Sequence, residues 1–454
     1  MAGRFKTINR DTAYLMPPSV QDWLPEGHLA RFVVEIIDDL DLSALERQYS
    51  GRGKDAYHPA ALLGLLVYGY ATGVFSSRQL ERATYESVAF RFVAGNEHPD
   101  HDTIANFRRR FLPQLEGLFV QVLVLAQAMG LLKLGKISVD GSKFKANASK
   151  HKALSYRYAS ELEKQLLAEV QELMSRAEQT DSAEEDQPLD IPAELQRREQ
   201  RREALAQARA ELERRARERH AQEQAEYEQK LAKRQAREEE TGKKPGGRPP
   251  QPPSEGPRDK DQVNLTDEDS RIMPSPDGGF VQAYNAQAGV DVDTHLVVSA
   301  HLSQAPNDKQ EVEPALERLA ALEGVLGKPE ALLADSGYFS QANVEACARQ
   351  DITPYLCEKR ERHNRPLAER LDSTCPPPPP EDADALTQMR HRLATPEGKA
   401  VYAKRKSTVE TVFGIIKQVL GFRQFQLRGL AGARGEWNLV CLAWNLKRMH
   451  ALAG

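Results

Sequence analysis

The sequence predicts a mixed α/β protein, in which an all-α N-terminal region precedes an α/β domain carrying an inserted helical hairpin. Three observations predict it. Apolar residues in 1–130 recur at helical spacing. Short strand-like runs at 136–140, 279–290, 295–301, 331–334 and 352–356 alternate with helical stretches after residue 300. Between the first two runs lies a block, 150–262, that is charged, poor in large apolar residues and closed by Pro and Gly.

The elements follow in order. Pro59 can open a helix at its first position, and residues 60–70 are apolar enough to be buried. Ser77 can cap a second helix. A third starts at Asp102 or Thr103, where Ile104, Phe107, Phe111, Leu115, Leu118, Val122 and Leu123 keep helical spacing. The run from Lys136 to Lys145 reads as a short strand ending at Asp140 and leaving into a polar turn. In 160–174, Leu162, Leu166, Val170, Leu173 and Met174 form one stripe. Residues 196–240 hold 13 Lys and Arg against 11 Glu, so a second, long and largely solvated helix completes an antiparallel hairpin. The stretch 245–257 is a flexible linker. Beyond it come two strands joined by an acidic turn at Asp291 and Asp293, a helix over 308–322, a strand at 331–334, a helix over 340–350 and a strand at 352–356. Cys375 and five prolines make a loop. Helices over 400–420 and 437–449 finish the chain.

At 454 residues the chain exceeds the ~250–300 at which one core stops growing, so more than one domain is expected. The boundaries fall at 1–130 for the helical domain and 131–454 for the α/β domain, interrupted by 150–262. No apolar run comes near the ~20 residues of a membrane helix. Residues 1–10 are basic but lack the apolar segment of a secretory signal. Four cysteines, at 347, 357, 375 and 441, exclude a disulfide scaffold, form no CxxC pair and suit a reducing cytoplasm. The net charge of -4 argues at first against nucleic acid as a partner.

Leaving out 150–262, the order reads strand, strand, strand, helix, strand, helix, strand, helix. Three acids stand at particular points on it: Asp140 after the first strand, Asp335 after the fourth, and Glu410 on the helix after the fifth. Sheets of this kind bring side chains from distant segments together at strand ends. One such Asp reads as a turn or cap. Three in this order could hold two Mg²⁺ ions, which take oxygen ligands; a pair of such ions serves phosphodiester displacement. On a helix at 100° per residue, Lys406, Glu410 and Lys417 share one narrow stripe, with Thr408, Val412, Ile416 and Val419 opposite. The plain alternative is a solvated face with Lys406–Glu410 as a weak i,i+4 pair.

Charge divides sharply along the chain. Residues 400–454 hold nine Lys and Arg against two Glu, and residues 131–152 hold six Lys against one Asp. Both blocks contain a proposed ligand, and phosphate neutralisation needs local charge rather than a basic average. The deficits lie elsewhere, with seven acids and no base in 178–194 and six acids with one Arg in 266–293.

Certain motifs carry a resemblance. They are Val139, Asp140, Gly141, Ser142 and Lys143; Ala334, Asp335, Ser336, Gly337 and Tyr338; and the run from Tyr402 to Lys417. Phe422, Arg423, Phe425, Arg428 and Gly429, and the ending Leu442, Ala443, Trp444, Asn445 and Leu446, match as well. The chain resembles the DDE transposases of bacterial insertion sequences, of the eleven-eighty-two family type, with an InsH-like N-terminal domain. The resemblance implies an RNase H-like catalytic domain, Mg²⁺ (or Mn²⁺) dependence, and double-stranded DNA as partner, both terminal inverted repeats and target. It implies Asp140, Asp335 and Glu410 as catalytic, metal-binding residues and a homodimer in the DNA complex. Lys143, Lys145, Tyr402, Lys406, Lys417, Arg423 and Arg428 are the expected DNA contacts. The signature Tyr-Arg-Glu-Lys of related transposases fits Tyr402, Glu410 and Lys417, but Arg405 stands one residue too far from Glu410. Lys406 keeps the spacing, so the phosphate contact is expected from Lys406. Trp444 replaces an expected His and reads as core.

Arg108 and Arg109, with Arg110, read either as a DNA-contacting helix start or as a solvated face. His98 and His101 read as loop residues rather than a metal pair. Tyr338 lies near the metal site or in the core. Two alternatives to a transposase remain: a metal-dependent nuclease of the same fold without strand transfer, and a non-catalytic DNA-binding or scaffolding protein.

Overall fold

The structure, a computed structural model, describes residues 19–49, 56–149, 152–180, 191–242, 246–275, 278–358, 375–380 and 382–454. The basic start at 1–10 and the middle of the acidic stretch, 181–190, lie outside them. Eight strands are present among the described residues: β1 (Lys136–Lys145), β2 (Ala153–Ser155), β3 (Gln262–Asn264), β4 (Arg271–Ser275), β5 (Gly279–Asp291), β6 (Val297–Ser303), β7 (Ala331–Ala334) and β8 (Thr353–Leu356). The chain forms two compact units, one of residues 1–144, 285–427 and 431–454, the other of 145–284 and 428–430.

The first unit combines the N-terminal helices with the central strands. Helix Pro59–Thr72 starts on its proline, with His58 Nδ1 accepting the Ala60 N–H. It stops at Gly73, whose φ of 86° favours glycine. Eleven of its fourteen residues are buried, so it is the core helix of this region. Helix Ser77–Glu86 begins one residue after its cap position, Ser76. Asp100 caps helix His101–Phe111 through the Thr103 N–H. Pro113 lacks the N–H an α-helix needs, and a 3-10 turn at Leu112–Gln114 leads into Leu115–Ala128. By length and composition alone His101–Ala128 is apolar enough to cross a membrane, a test that a buried core helix also passes. The turn interrupts it, and Ile104, Phe107, Phe111, Leu118 and Val122 are buried in the unit.

The sheet follows the order β5-β1-β7-β8, with β6 on the far side of β5. β5 and β6 are antiparallel; β1, β7 and β8 are parallel. The end of β5 meets the start of β1, where Val292 N–H donates to the Lys136 carbonyl. Parallel strands require crossovers, and helices Val312–Leu326 and Gln341–Arg349 supply them. Helix Leu430–Ala453 is fixed to β6 by Asn445, whose amide accepts from Val297 N–H and donates to its carbonyl, both at 2.8 Å. Trp444 is 5% exposed and bonds to the His295 carbonyl, a core residue as expected.

A buried network ties the N-terminal helices to this last helix. Glu436 is fully buried and accepts from both regions: from the Tyr70 hydroxyl at 2.6 Å, and from the Gln426 and Leu427 N–H groups. Burial raises its carboxyl, opposed by Arg108. Arg108 is itself 7% exposed and donates to Tyr70 and to the Phe75 carbonyl. Arg109 and Arg110 are exposed. The arginine cluster thus sends its first member inward as a structural cation.

The second unit holds the expected hairpin. Helices Tyr156–Thr180 and Ile191–Thr241 pack through Leu166, Leu205, Ala208 and Leu212, with β2 and β3 contributing Leu154 and Val263. At 51 residues the second helix is about 75 Å long. Arg198 pairs with Glu169 and Arg209 with Glu163 across the hairpin. Met174 is exposed, so the stripe ends at Leu173. β4 pairs with the first half of β5. Residues 246–257 form neither helix nor strand.

Arg108→Ala leaves Glu436 buried without its cation and should cost ~3 kcal/mol. Arg109→Ala, on an exposed side chain, should stay within about 0.5 kcal/mol. Urea denaturation of both variants checks this; equal, small losses would show that the network adds little.

Candidate functional site

The β1–β7 ladder sets the site. Its register pairs Lys136 with Ala331, Ile137 with Leu332 and Ser138 with Leu333. Continued by two positions, it pairs Asp140 with Asp335. Neighbouring strands stand about 4.8 Å apart, so the two acids leave the ladder side by side, 195 residues apart in sequence. β1 does not end at Asp140, as expected, but continues to Lys145. Only the β7 side of its pairing stops; β5 still borders it.

Local glycines shape the corner. Asp140 Oδ1 accepts the Gly141 N–H at 2.9 Å, and Asp335 Oδ1 the Gly337 N–H at 2.7 Å. A Cβ on Gly141 would collide with Gln287 Nε2 and stand 2.5 Å from Asp308 Oδ1. One on Gly337 would stand 2.9 Å from Asp335 Oδ1. Burial pushes the Asp140 carboxyl up to about 7; the Gly141 N–H and Arg405 oppose this, while Asp335 and Asp308 add to it. Asp308 was expected only as the start of a helix. It lies instead in the coil before helix Val312–Leu326.

Glu410 comes from helix Pro396–Gly414, which Thr395 caps through the Gly398 N–H. Its carboxylate pairs with Arg405 at 3.0 Å. Arg405 is buried, feels Asp140 and Asp335 as well, and keeps an Nε without a hydrogen-bond partner. Lys406 is exposed. Arg405 is therefore a buried cation that meets the acids. An arginine reaches five residues along a helix with its long fork, which a count of angles at the Cα does not register.

The helix then widens. Residues Ile415–Val419 form a π turn, with Leu420 N–H bonded to the Ile415 carbonyl. Such turns add a residue and rotate the helix beyond them. Lys417 bonds Ser142 Oγ at 2.6 Å and the Lys143 carbonyl at 2.8 Å, 4.4 Å over the Phe144 ring. Burial lowers its ammonium to about 8, against the pull of Asp140. Tyr402 is buried beside Arg405. Lys143 is half-buried, Lys145 exposed. Arg423 is exposed, with Nε on the Lys417 carbonyl. Tyr338 is buried, its hydroxyl donating to Gln287 Oε1. In the second unit, Arg428 is exposed and donates to the Asn147 carbonyl. His98 and His101 bond Thr84 and Glu81, a structural use.

The donors at the corner are carboxylates without thiolate or imidazole, the set a hard divalent ion takes. Gly141 and Gly337 leave room for Gln287, Asp308 and Asp335 to close in on the corner. Among the described residues no three His, Cys, Asp or Glu side chains are gathered tightly enough to hold a metal; Glu410 is turned to Arg405.

Two family matches bear on this arrangement. Residues 18–110 match the family described as Transposase domain (DUF772). Residues 258–446 match the Transposase DDE domain, a segment that contains Asp335 and Glu410 but not Asp140. Neither a curated protein nor a solved structure matches the chain.

A carboxyl raised by burial stabilises the fold below its unfolded value near 3.8 and loses that contribution as pH climbs through about 7. Asp140→Asn should therefore leave stability unchanged near pH 4 and raise it by up to ~4 kcal/mol above pH 7, at 1.36 kcal/mol per unit. Denaturant melts at pH 4.5 and pH 8 measure the difference; a gain independent of pH would exclude burial as its cause.

Proposed function

Because the chain belongs to the DDE transposases of insertion-sequence type, we propose that it cuts DNA at the terminal inverted repeats of its element and joins the ends to target DNA. The observation that carries this reading is the β1–β7 register, which sets Asp140 beside Asp335 with the Arg405–Glu410 pair coupled to both. The order β6-β5-β1-β7-β8, antiparallel in its first three strands and parallel in its last three, supports an RNase H-like catalytic domain over 131–454, interrupted by 150–262.

Asp140, Asp335 and Glu410 would hold Mg²⁺, or Mn²⁺ in its place. Such ions activate an attacking oxygen and stabilise a leaving one. Water hydrolyses the phosphodiester at each element end, and the released 3′-hydroxyl then attacks the target phosphodiester. No bond to the protein forms. Arg405 adds a buried positive charge beside Asp140, Asp335 and Glu410 that favours a phosphate at this corner. Lys417 is held on Ser142 and stiffens the path of β1 past Asp140. Lys143, Lys145, Lys406, Arg423 and Arg428 steady the DNA backbone. The helical domain, 1–130, binds the repeat, with Arg109 and Arg110 among its exposed cations. Two copies assemble with two DNA ends.

Alanine at Asp140, Asp335 or Glu410 should abolish Mg²⁺-dependent end cleavage, a loss of at least about a thousandfold, while band-shift affinity for the ends stays within a few-fold. Cleavage retained in any one variant would remove that residue from the set. Pre-cleaved ends supplied with a target plasmid separate the transposase from a nuclease of the same fold, which gives no joined product. A chain that cuts no repeat DNA with Mg²⁺ or Mn²⁺ would be a DNA-binding scaffold.

A further inference from the structure

The helical region holds an arrangement that the carboxylate corner does not use. Helices Pro59–Thr72 and Ser77–Glu86 are joined by Gly73, Val74, Phe75 and Ser76, and their axes turn by 95°. Two helices set at about 90–120° through a short turn that contains Gly make a helix-turn-helix. Packing fixes the crossing. Leu80 is wholly buried and rests on the first helix at Gly69, where a Cβ would collide with Leu80 Cδ2 and stand 2.7 Å from the Val74 carbonyl oxygen. At Gly73 the φ of 86° favours glycine, and a Cβ would stand 2.8 Å from the Leu420 carbonyl oxygen. Arg108 holds the turn from a third helix, His101–Phe111. Its guanidinium donates to the Phe75 carbonyl at 2.9 Å and lies 3.5 Å from Ser77 Oγ.

The second helix divides into two faces. At 100° per residue, Ser77, Leu80 and Thr84 share one side, and all three are buried. Arg78, Arg82 and Tyr85 fall within about 60° on the other, with Gln79 and Glu86 beside them. All five are exposed. Tyr85 is 59% exposed yet held in place. Its ring stacks on His98, with centroids 4.0 Å apart and planes 13° from parallel, and His98 Nδ1 lies 3.0 Å from Thr84 Oγ1.

These side chains are of the kinds that read base edges. Arginine forks onto guanine, glutamine onto adenine, and an apolar group meets the thymine methyl. Ten residues make a helix about 15 Å long, and the major groove, about 12 Å wide, admits one. Arg78 and Gln79 stand in its first turn, the part that a helix-turn-helix presents to the bases. Two arginines against one acid, Glu86, suit a polyanion.

We propose that Ser77–Glu86 is the recognition helix of this chain, entering the major groove at the element's end with Arg78, Gln79 and Arg82 on base edges and Tyr85 flanking them. The proposal rests on the reading of 1–130 as the region that binds the repeat, and it names the surface that tells the repeat from other DNA.

Competition band shifts with the full-length protein test it, on a labelled duplex from the element end and a scrambled duplex of the same length and composition. The wild type should prefer the end. Arg78→Ala and Arg82→Ala should each weaken binding to the end about tenfold and leave binding to the scrambled duplex within a few-fold. Gln79→Ala should lose several-fold on the end alone. An unchanged preference in the chain carrying both Arg78→Ala and Arg82→Ala overturns the recognition helix and leaves the reading of 1–130 standing; a change of oligomeric state in that variant would then mark the face as a contact between copies. Equal losses on both duplexes also overturn it, since contacts to phosphate alone carry no sequence. A wild type without preference for the end overturns the reading of 1–130, and the proposal with it.

Discussion

The parallel pairing of β1 with β7 is the constraint on which the site depends. Three rungs, from Lys136–Ala331 to Ser138–Leu333, bring together segments almost two hundred residues apart. A slip of one residue would turn Asp140 to the other face of the sheet. The pairing is held by burial: Ile137, Val139, Leu332 and Leu333 are almost wholly inaccessible. The apolar strands create a concentration of negative charge, and the surrounding elements answer it. Gly141 and Gly337 N–H groups, two β5 amides and Arg405 all direct positive ends toward carboxylates. Burial holds the Asp140 carboxyl high, and the neighbouring Asp335 and Asp308 add to it.

The helix that brings Glu410 shows why side-chain reach matters as much as backbone phase. Arg405 and Lys406 are adjacent, and on a wheel of 100° steps the lysine aligns better with Glu410. In the fold Arg405 is the buried one, lying against the Tyr402 ring with its guanidinium on Glu410. Guanidinium sheds water more readily than ammonium and forks onto carboxylates, so burial selects arginine at the inner position. The π turn at Ile415–Val419 then breaks the phase for every later residue of the helix. Lys417, inside that turn, bonds Ser142 on β1.

Much of the fold was legible because its signals are periodic or compositional. The strands of the sheet are short apolar runs, and the two helices of the insertion are a stripe and a charged repeat. Asp140 and Asp335 were legible because each follows such a run directly and precedes a glycine by one or two positions. Asp308 was not, since it sits in coil where no period applies. A weaker signal existed in Asn285 and Gln287, two polar residues on alternate positions of an otherwise apolar strand. Alternation usually reads as an outer face, yet here both faces of β5 are buried. Arg108 misled for the opposite reason. A run of three arginines reads as surface, while Glu436, more than three hundred residues later, is the anion that draws the first of them inward.

The net charge of -4 sharpens the same contrast between average and place. In the helical insertion, arginines have acids within a turn or across the hairpin: Arg214 with Glu211 and Glu218, Arg215 with Glu211, Arg198 with Glu169 and Glu194. Residues 400–454 are built differently. Their nine Lys and Arg have only two Glu in the same segment, one buried as Glu436 and one held by Arg405. Pairing of the first kind cancels charge over a few ångströms and leaves little field beyond a Debye length of about 8 Å. The second kind leaves a surplus. A polyanion would then meet this chain by particular faces rather than by its total charge, and the salt dependence of binding would count contacts made there. The whole-chain figure describes solubility; the local surplus, next to a corner of carboxylates, describes what the site can attract and what it can do with it.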